Sequence, residues 1–201
     1  MGSRMRKKKN IIPRLERCSA FLISNPCVQK GNWRKLFNMP DCNQLALEIG
    51  CGKGAFALGM SEHFSDTAFL ALERVKEAII VGLEKCMGEE RSNLRFILAD
   101  ATDLESMFVP GELNCIYINF CDPWPPKKQA KRRLTHSVYL ETYKKLLSPD
   151  GMIFFKTGNH KLFEFSLNEF CTAGFLLSDI SFDLHSTSAF NIMTEYETKF
   201  S

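Results

Sequence analysis

Residues 45–54 read Leu-Ala-Leu-Glu-Ile-Gly-Cys-Gly-Lys-Gly, a short apolar run closed by glycines at alternate positions. A run this brief, bounded by turn residues, predicts a strand buried on both faces. The glycines predict a loop whose backbone can approach a ligand closely. Helical periodicity follows through Met60, so the unit is strand, glycine loop, helix. The rhythm then repeats. AFLAL (68–72) ends at Glu73 and leads into a helix with Val75, Ala78, Ile79, Leu83, Cys86 and Met87 on one face. LRFIL (94–98) stops just before Asp100, and CIYIN (115–119) stops just before Asp122. Tyr139, Leu140, Tyr143, Leu146 and Leu147 mark a helix halted by Pro149 and Gly151. MIFFKT (152–157) is a fifth strand, a helix runs from about Leu162 to Cys171 and ends at Gly174, and FLLSDISFDL (175–184) is predicted as a sixth strand. Strands alternating with helices predict βαβ units, an α/β fold with a mostly parallel sheet.

Residues 1–44 lack this periodicity and are broken by Pro13, Pro26, Gly31 and Pro40. They are read as an irregular basic arm with one short helix, and residues 45–201 as the α/β domain. The formal charge of +3 conceals two patches. Arg4, Arg6, Lys7, Lys8 and Lys9 form one, and Lys127, Lys128, Lys131, Arg132 and Arg133 the other, leaving 16 basic against 23 acidic residues elsewhere. Local basic patches on an otherwise acidic body predict contact with a polyanion, nucleic acid ahead of a membrane surface. No long apolar run suggests a membrane span. The eight cysteines include no C-x-x-C pair and no histidine at metal-ligand spacing. They are read as reduced thiols of a cytoplasmic protein, with no metal site.

Four carboxylates fall at the ends of successive strands: Glu48, Glu73, Asp100 and Asp122. In an open α/β sheet, ligands bind beyond the carboxyl ends of the strands, so four acids in that order describe one extended ligand. Gly50, Gly52 and Gly54 supply the close backbone approach. Glu73 suits a ribose diol, Asp100 an adenine amino group, and Glu48 or Asp122 the cationic methionyl end of S-adenosylmethionine. Gly50, Gly52 and Ala55 also satisfy a looser dinucleotide pattern, but an acid at Glu48 would repel a pyrophosphate.

The segment Tyr117–Leu134 (YINFCDPWPPKKQAKRRL) brings Asp122 and Trp124 to a strand end, because Pro123, Pro125 and Pro126 cannot continue the ladder. A carboxylate, an indole face and five basic residues suit a flat base on a phosphate backbone.

Together LEIGCGKGAF, ALERVKEAI, LADATDL, NFCDPWPPKKQAKRRLT, FFKTGN and NIMTEYETKF resemble the bacterial tRNA (guanine-N7) methyltransferases, from about residue 20 to the C-terminus. The resemblance implies a class I S-adenosylmethionine-dependent methyltransferase, Rossmann-like with helices on both faces of the sheet, that modifies a guanine at position 46 in the variable loop of tRNA. It implies S-adenosylmethionine binding by Glu48, Glu73, Asp100 and Asp122, with Asp122 also at the catalytic centre. RNA contacts are implied for residues 128–133, and substrate contacts for Thr194, Glu195, Tyr196 and Glu197. Three departures stand out. Pro126 replaces a family lysine, leaving Lys127 and Lys128 to supply its contact. Gly158 replaces a substrate-binding aspartate. The chain stops at Ser201, before the family's last strand. An exocyclic-amine nucleic-acid methyltransferase is the nearest alternative, since D-P-W-P resembles a D/N-P-P-Y loop, although Pro125 stands where that loop has its aromatic. A catalytically weak RNA-binding protein with this fold is the other. A monomer and a homodimer are equally compatible with the sequence.

Overall fold

Alternate residues along the apolar runs are buried on opposite sides, which is what covering a sheet on both faces requires. In the computed structural model, which describes residues 10–37, 39, 44–88, 91–184 and 190–200, six strands form one parallel sheet. They are β1 (Leu22–Ile23), β2 (Gln44–Ile49), β3 (Thr67–Glu73), β4 (Leu94–Leu98), β5 (Leu113–Asn119) and β6 (Leu147–Lys156), in the order β1-β4-β3-β2-β5-β6. The helices are α1 (Ile11–Arg17), α2 (Trp33–Leu36), α3 (Ala55–His63), α4 (Lys76–Cys86), α5 (Leu104–Met107), α6 (Ser137–Leu146), α7 (His160–Thr172) and α8 (Glu195–Phe200).

Leu45, Leu47 and Ile49 of β2 join Leu70 and Leu72 of β3 in a core with α2, α5, α6 and α7. Ala46, Phe69 and Ala71 face the other way and pack with α1, α3 and α4. Period-two alternation therefore turns Glu48 and Glu73 toward the α3 and α4 face. From β2 the chain steps outward through β3 to β4, then returns to place β5 and β6 on the opposite flank. The strand order reverses between β2 and β5, where Glu48 is in register with Tyr117. That reversal is where an open sheet leaves its ligand crevice.

Three sequence expectations need correction. Residues 11–37 are not an irregular arm. β1 pairs with β4 and so continues the sheet, α1 is clamped to α4 by Arg14 bonding Glu84 through two nitrogens at 2.7 and 2.6 Å, and Trp33 is 0% exposed. The boundary drawn at residue 44 thus does not coincide with a break in packing; local periodicity could not show it, because β1 has only two residues and gains its partners from residues some 70 positions later. The basic tip, residues 1–9, lies outside the described residues. Secondly, residues 175–184 form no ladder. The Phe175 amide closes the end of α7 on Phe170 O at 3.0 Å, and Phe175 and Leu177 pack on the core while Leu176 points to solvent. The burial alternation is confined to residues 175–178, and the segment touches α7 through Phe175 on Phe170 and Phe182 on Phe163. Thirdly, β6 starts at Leu147 and passes through Pro149, inside the stretch expected to be a helix end. The β5–β6 register shifts between Leu113 and Cys115, and proline's missing donor is tolerated in such an irregular stretch at a sheet edge.

Trp33 stacks on Phe108 with ring centroids 5.3 Å apart and donates from Nε1 to Met107 O at 2.9 Å. Trp33→Phe keeps the stack and strands a buried carbonyl. A loss of about 2 kcal/mol in urea-unfolding free energy is expected; an unchanged midpoint would mean that residues 11–37 are not part of the cooperative unit.

Candidate active site

Glu48, near the carboxyl end of β2, is only 5% exposed. Its Oε1 accepts from Asn119 Nδ2 of β5 at 3.1 Å across the strand-order reversal. The other Glu48 oxygen and Asn119 Oδ1 are buried and have no hydrogen-bond partner. Burial pushes the Glu48 carboxyl up to about 7, reinforced by Glu195 and opposed by Asn119 and Lys156. The two orphaned acceptors, one on the reluctant carboxylate itself and one on the amide beside it, carry a cost that a cationic donor would relieve.

The glycine loop lies next to this pair. Gly52 has φ +57°, and a Cβ placed on it would meet nothing within 4 Å, so its bare backbone faces open space. Gly54, at φ +80°, is tight instead: a Cβ would meet the Phe96 ring at 3.0 Å. Gly50 adopts φ +78°. Glu73 braces the loop by accepting from Gly52 N at 3.0 Å and from Val75 N at 2.8 Å. Asp100 caps the turn after β4 by accepting from Thr102 N and Oγ1 at 3.1 Å, and pairs with Arg74 at 3.4 Å. Burial would raise its pKa, but the Thr102 and Arg74 bonds outweigh that and hold it below the usual carboxylate range. The three acids therefore stand along one edge of the sheet, Glu48 held by Asn119 of β5, Glu73 by the glycine loop and Val75, and Asp100 by its own turn.

Asp122 is exposed beyond the end of β5. It is bracketed by two non-glycine residues in the left-handed region, Phe120 at φ 48° and Trp124 at φ 40°. Such conformations cost about 1–3 kcal/mol each and persist where surrounding contacts hold them. Here Phe120 N bonds Lys156 O at 2.8 Å, Phe120 stacks on Tyr196 at 4.8 Å, and the Arg132 guanidinium sits 3.7 Å from the centre of the Trp124 ring. The neighbouring thiols are poor nucleophiles: burial pushes Cys121 up to about 12 and Cys51 well above its ordinary value. His136 is the N-cap of α6 and His160 the first residue of α7.

The C-terminal T-E-Y-E segment is drawn to the same edge, with its side chains divided. Thr194 and Glu197 form a reciprocal capping box at the start of α8: Glu197 N donates to Thr194 Oγ1 at 3.1 Å, and Thr194 N donates to Glu197 Oε2 at 2.8 Å. Glu197 is 4% exposed and also accepts from Asn191 Nδ2 and from Lys156 Nζ. The Glu197 carboxyl, expected from the resemblance to contact substrate, is thus engaged in holding the segment together. Glu195 reaches the N-terminus of α3, accepting from Ala55 N at 3.0 Å, and Tyr196 is half exposed beside Gly158.

Two residues of this edge carry roles that the sequence does not announce. Asn119 reads only as the last residue of an apolar strand. Lys156 donates to Asn191 Oδ1, Ile192 O and Glu197 Oε2 at 2.7, 3.1 and 3.2 Å, tying the C-terminal segment to the end of β6. The signal available is a polar residue closing each apolar run, at Asn119 and again at Lys156. Among the basic residues, Lys127, Lys128, Lys131 and Arg132 are exposed, on or beside the 3-10 turn Lys127–Arg132. Arg133 is not: its guanidinium turns inward. Among the described residues there is no group of ligands able to hold a metal ion and no helix long and apolar enough to cross a membrane.

A family model described as "Putative methyltransferase" matches residues 42–201. The tRNA (guanine-N(7)-)-methyltransferase of Streptococcus agalactiae serotype III (strain NEM316) is 41% identical over 199 residues, covering 98% of this chain and 93% of that protein. The protein of the same name from Bacillus subtilis (strain 168) is 42% identical over 180 residues, covering 89% and 84%. Among solved structures, an antibiotic-related methyltransferase superposes with TM-score 0.57 at 16% identity over 73% of this chain and 74% of that one. The 16S rRNA methyltransferase KamB gives 0.56 at 13% identity over 74% and 76%. These two similarities concern the fold alone.

Proposed function

Because this chain belongs to the tRNA (guanine-N(7)-)-methyltransferase family, we propose that the edge of strand-end carboxylates holds S-adenosylmethionine and presents it to guanine 46 in the variable loop of tRNA. The chain is a methyltransferase that modifies N7 of guanine in tRNA, with S-adenosylmethionine as its cofactor. The observation that favours this reading of the site is the Glu48–Asn119 pair with its two orphaned acceptors at the strand-order reversal. Those two acceptors fit the N–H groups of the cofactor's cationic amino group. Glu73, already fixed by Gly52 and Val75, has lone pairs left for a ribose diol. Asp100 has them for the adenine edge, and the bare backbone at Gly50 and Gly52 allows close approach. When bound, the cofactor supplies an electrophilic methyl group on a sulfonium.

Guanine N7 has an in-plane lone pair and gives up no proton, so the chain needs no strong general base. What it must do is orient the base and stabilise the positive charge that the purine ring gains. Asp122 supplies the negative charge at the exposed end of β5. Lys127, Lys128, Lys131 and Arg132 suit the phosphate backbone, and Tyr196 and Glu195 suit the rim of the substrate pocket, whereas Thr194 and Glu197 act by shaping it. Both a monomer and a homodimer are compatible with this reading. We place the reaction in the cytoplasm.

Replacing guanine 46 with adenine in an unmodified tRNA transcript should abolish labelled-methyl incorporation while leaving tRNA affinity within about threefold, since phosphate contacts supply most of that affinity. Undiminished incorporation would place the target elsewhere in the tRNA.

A further inference from the structure

We propose that Arg133 is a positioning residue for the loop that presents Asp122, not a phosphate contact. The proposal rests on the active-site reading above. It departs from the resemblance, which groups Arg133 with the RNA-touching run.

The loop from Asp122 to Pro126 has little to hold it. Pro123, Pro125 and Pro126 have no amide hydrogen, Trp124 sits at φ 40°, and among the backbone bonds of turns and loops none of the described amides donates to a carbonyl of residues 121–125. Arg133 fills that deficit. Its Nε donates to Pro123 O at 3.0 Å and its Nη2 to Trp124 O at 3.1 Å, so one rigid guanidinium fork fixes two successive carbonyls. From behind, the same guanidinium lies 4.3 Å from the centre of the Phe165 ring on α7, and it is only partly exposed. A guanidinium whose N–H groups grip two carbonyls while its carbon lies over a ring is fixed in orientation by protein partners.

Arg132 makes the contrast. It is exposed, and its guanidinium lies over the Trp124 ring, 3.7 Å from the ring centre. The consecutive residues Lys131, Arg132 and Arg133 thus divide: the first two face outward, and the third works on the backbone that positions Asp122.

The chemistry of the fork supplies the test. A phosphate contact tolerates lysine, because a point charge suffices, whereas a bidentate grip on two carbonyls beneath a ring does not. Arg133→Lys should therefore lower kcat about tenfold at saturating tRNA and cofactor, and Arg133→Ala about tenfold to a hundredfold, the scale of a small misplacement of a reacting group. The slope of log Kd for tRNA against log salt should stay at the wild-type value in both. Lys131→Ala should instead lower that slope by about one. Wild-type kcat in Arg133→Lys, or a slope reduced by about one in Arg133→Ala with kcat retained, would overturn the proposal. A readout independent of methyl transfer separates its failure from failure of the active-site reading. The chain has two tryptophans, so in a Trp33→Phe background Trp124 reports alone. Its fluorescence anisotropy should fall on Arg133→Ala, and unchanged anisotropy would mean that Arg133 does not hold the loop.

Discussion

Asp122→Asn is expected to cut turnover a hundredfold or more at saturating tRNA and cofactor. The side chain stands beyond β5 between two left-handed residues, Phe120 and Trp124, so the backbone spends conformational free energy to place it there. Asparagine has nearly the same shape and would leave that loop intact, removing only the charge. If that charge stabilises the purine as it becomes cationic, the loss should appear in kcat, at the scale of removing one preorganised electrostatic group. Tight tRNA binding should survive, because the exposed basic residues are untouched. Were Asp122 only an anchor for the cofactor, the apparent KM for S-adenosylmethionine would rise and turnover at saturation would be near normal. Measuring both constants on the variant distinguishes the two roles.

Glu48→Gln should make the free protein more stable and its cofactor complex weaker. Burial raises the Glu48 carboxyl from an ordinary 4.5 to about 7. Below pH 4.5 the folded and unfolded chains both hold the proton, and Glu48 contributes nothing to pH dependence. Between 4.5 and 7 the unfolded chain has released it while the folded chain keeps it, so stability falls as pH rises. Above 7 both are ionised and the full cost, roughly 3 kcal/mol, is present. Glutamine never ionises. Its gain should therefore be greatest above pH 7, several degrees in melting temperature, and should vanish toward pH 4.5. The same change removes a charge-assisted bond to the cofactor, weakening S-adenosylmethionine binding by about 1.5–3 kcal/mol. For the parent protein, affinity should tighten as pH rises from 6 to 8. Thermal melts and calorimetry across that range test both halves. A variant no more stable than its parent at pH 8 would show that the buried carboxylate is not strained.

The alternation of short apolar runs with helical periodicity made β2 to β6 and their parallel arrangement legible, because each run declares itself by its own length and apolar composition without reference to its neighbours, including β6, whose Met152 and Phe154 are exposed at the sheet edge. The carboxylates were legible beside those runs: Glu48 interrupts the β2 run one residue before its end, Glu73 ends β3, and Asp100 and Asp122 follow the ends of β4 and β5. What depended on distant partners was not legible. The two residues of β1 become a strand only through β4, and Trp33 enters the core only by meeting Met107 and Phe108. Residues 175–184 failed in the opposite sense, since alternation marks a half-buried surface whether or not a strand pairs with it. Within the site, composition made Arg133 look like its neighbours Lys131 and Arg132, and only the direction of its guanidinium separates them.

The most direct measurement is mass analysis of nucleosides from an unmodified tRNA transcript incubated with the protein and S-adenosylmethionine bearing a deuterated methyl group. A site of this geometry predicts one labelled product, 7-methylguanosine, reduced a hundredfold or more in rate by Asp122→Asn. A labelled methyl on an exocyclic amine of adenine, cytosine or guanine would contradict it, because that chemistry needs a proton acceptor which a site built around an uncomplicated lone pair does not require.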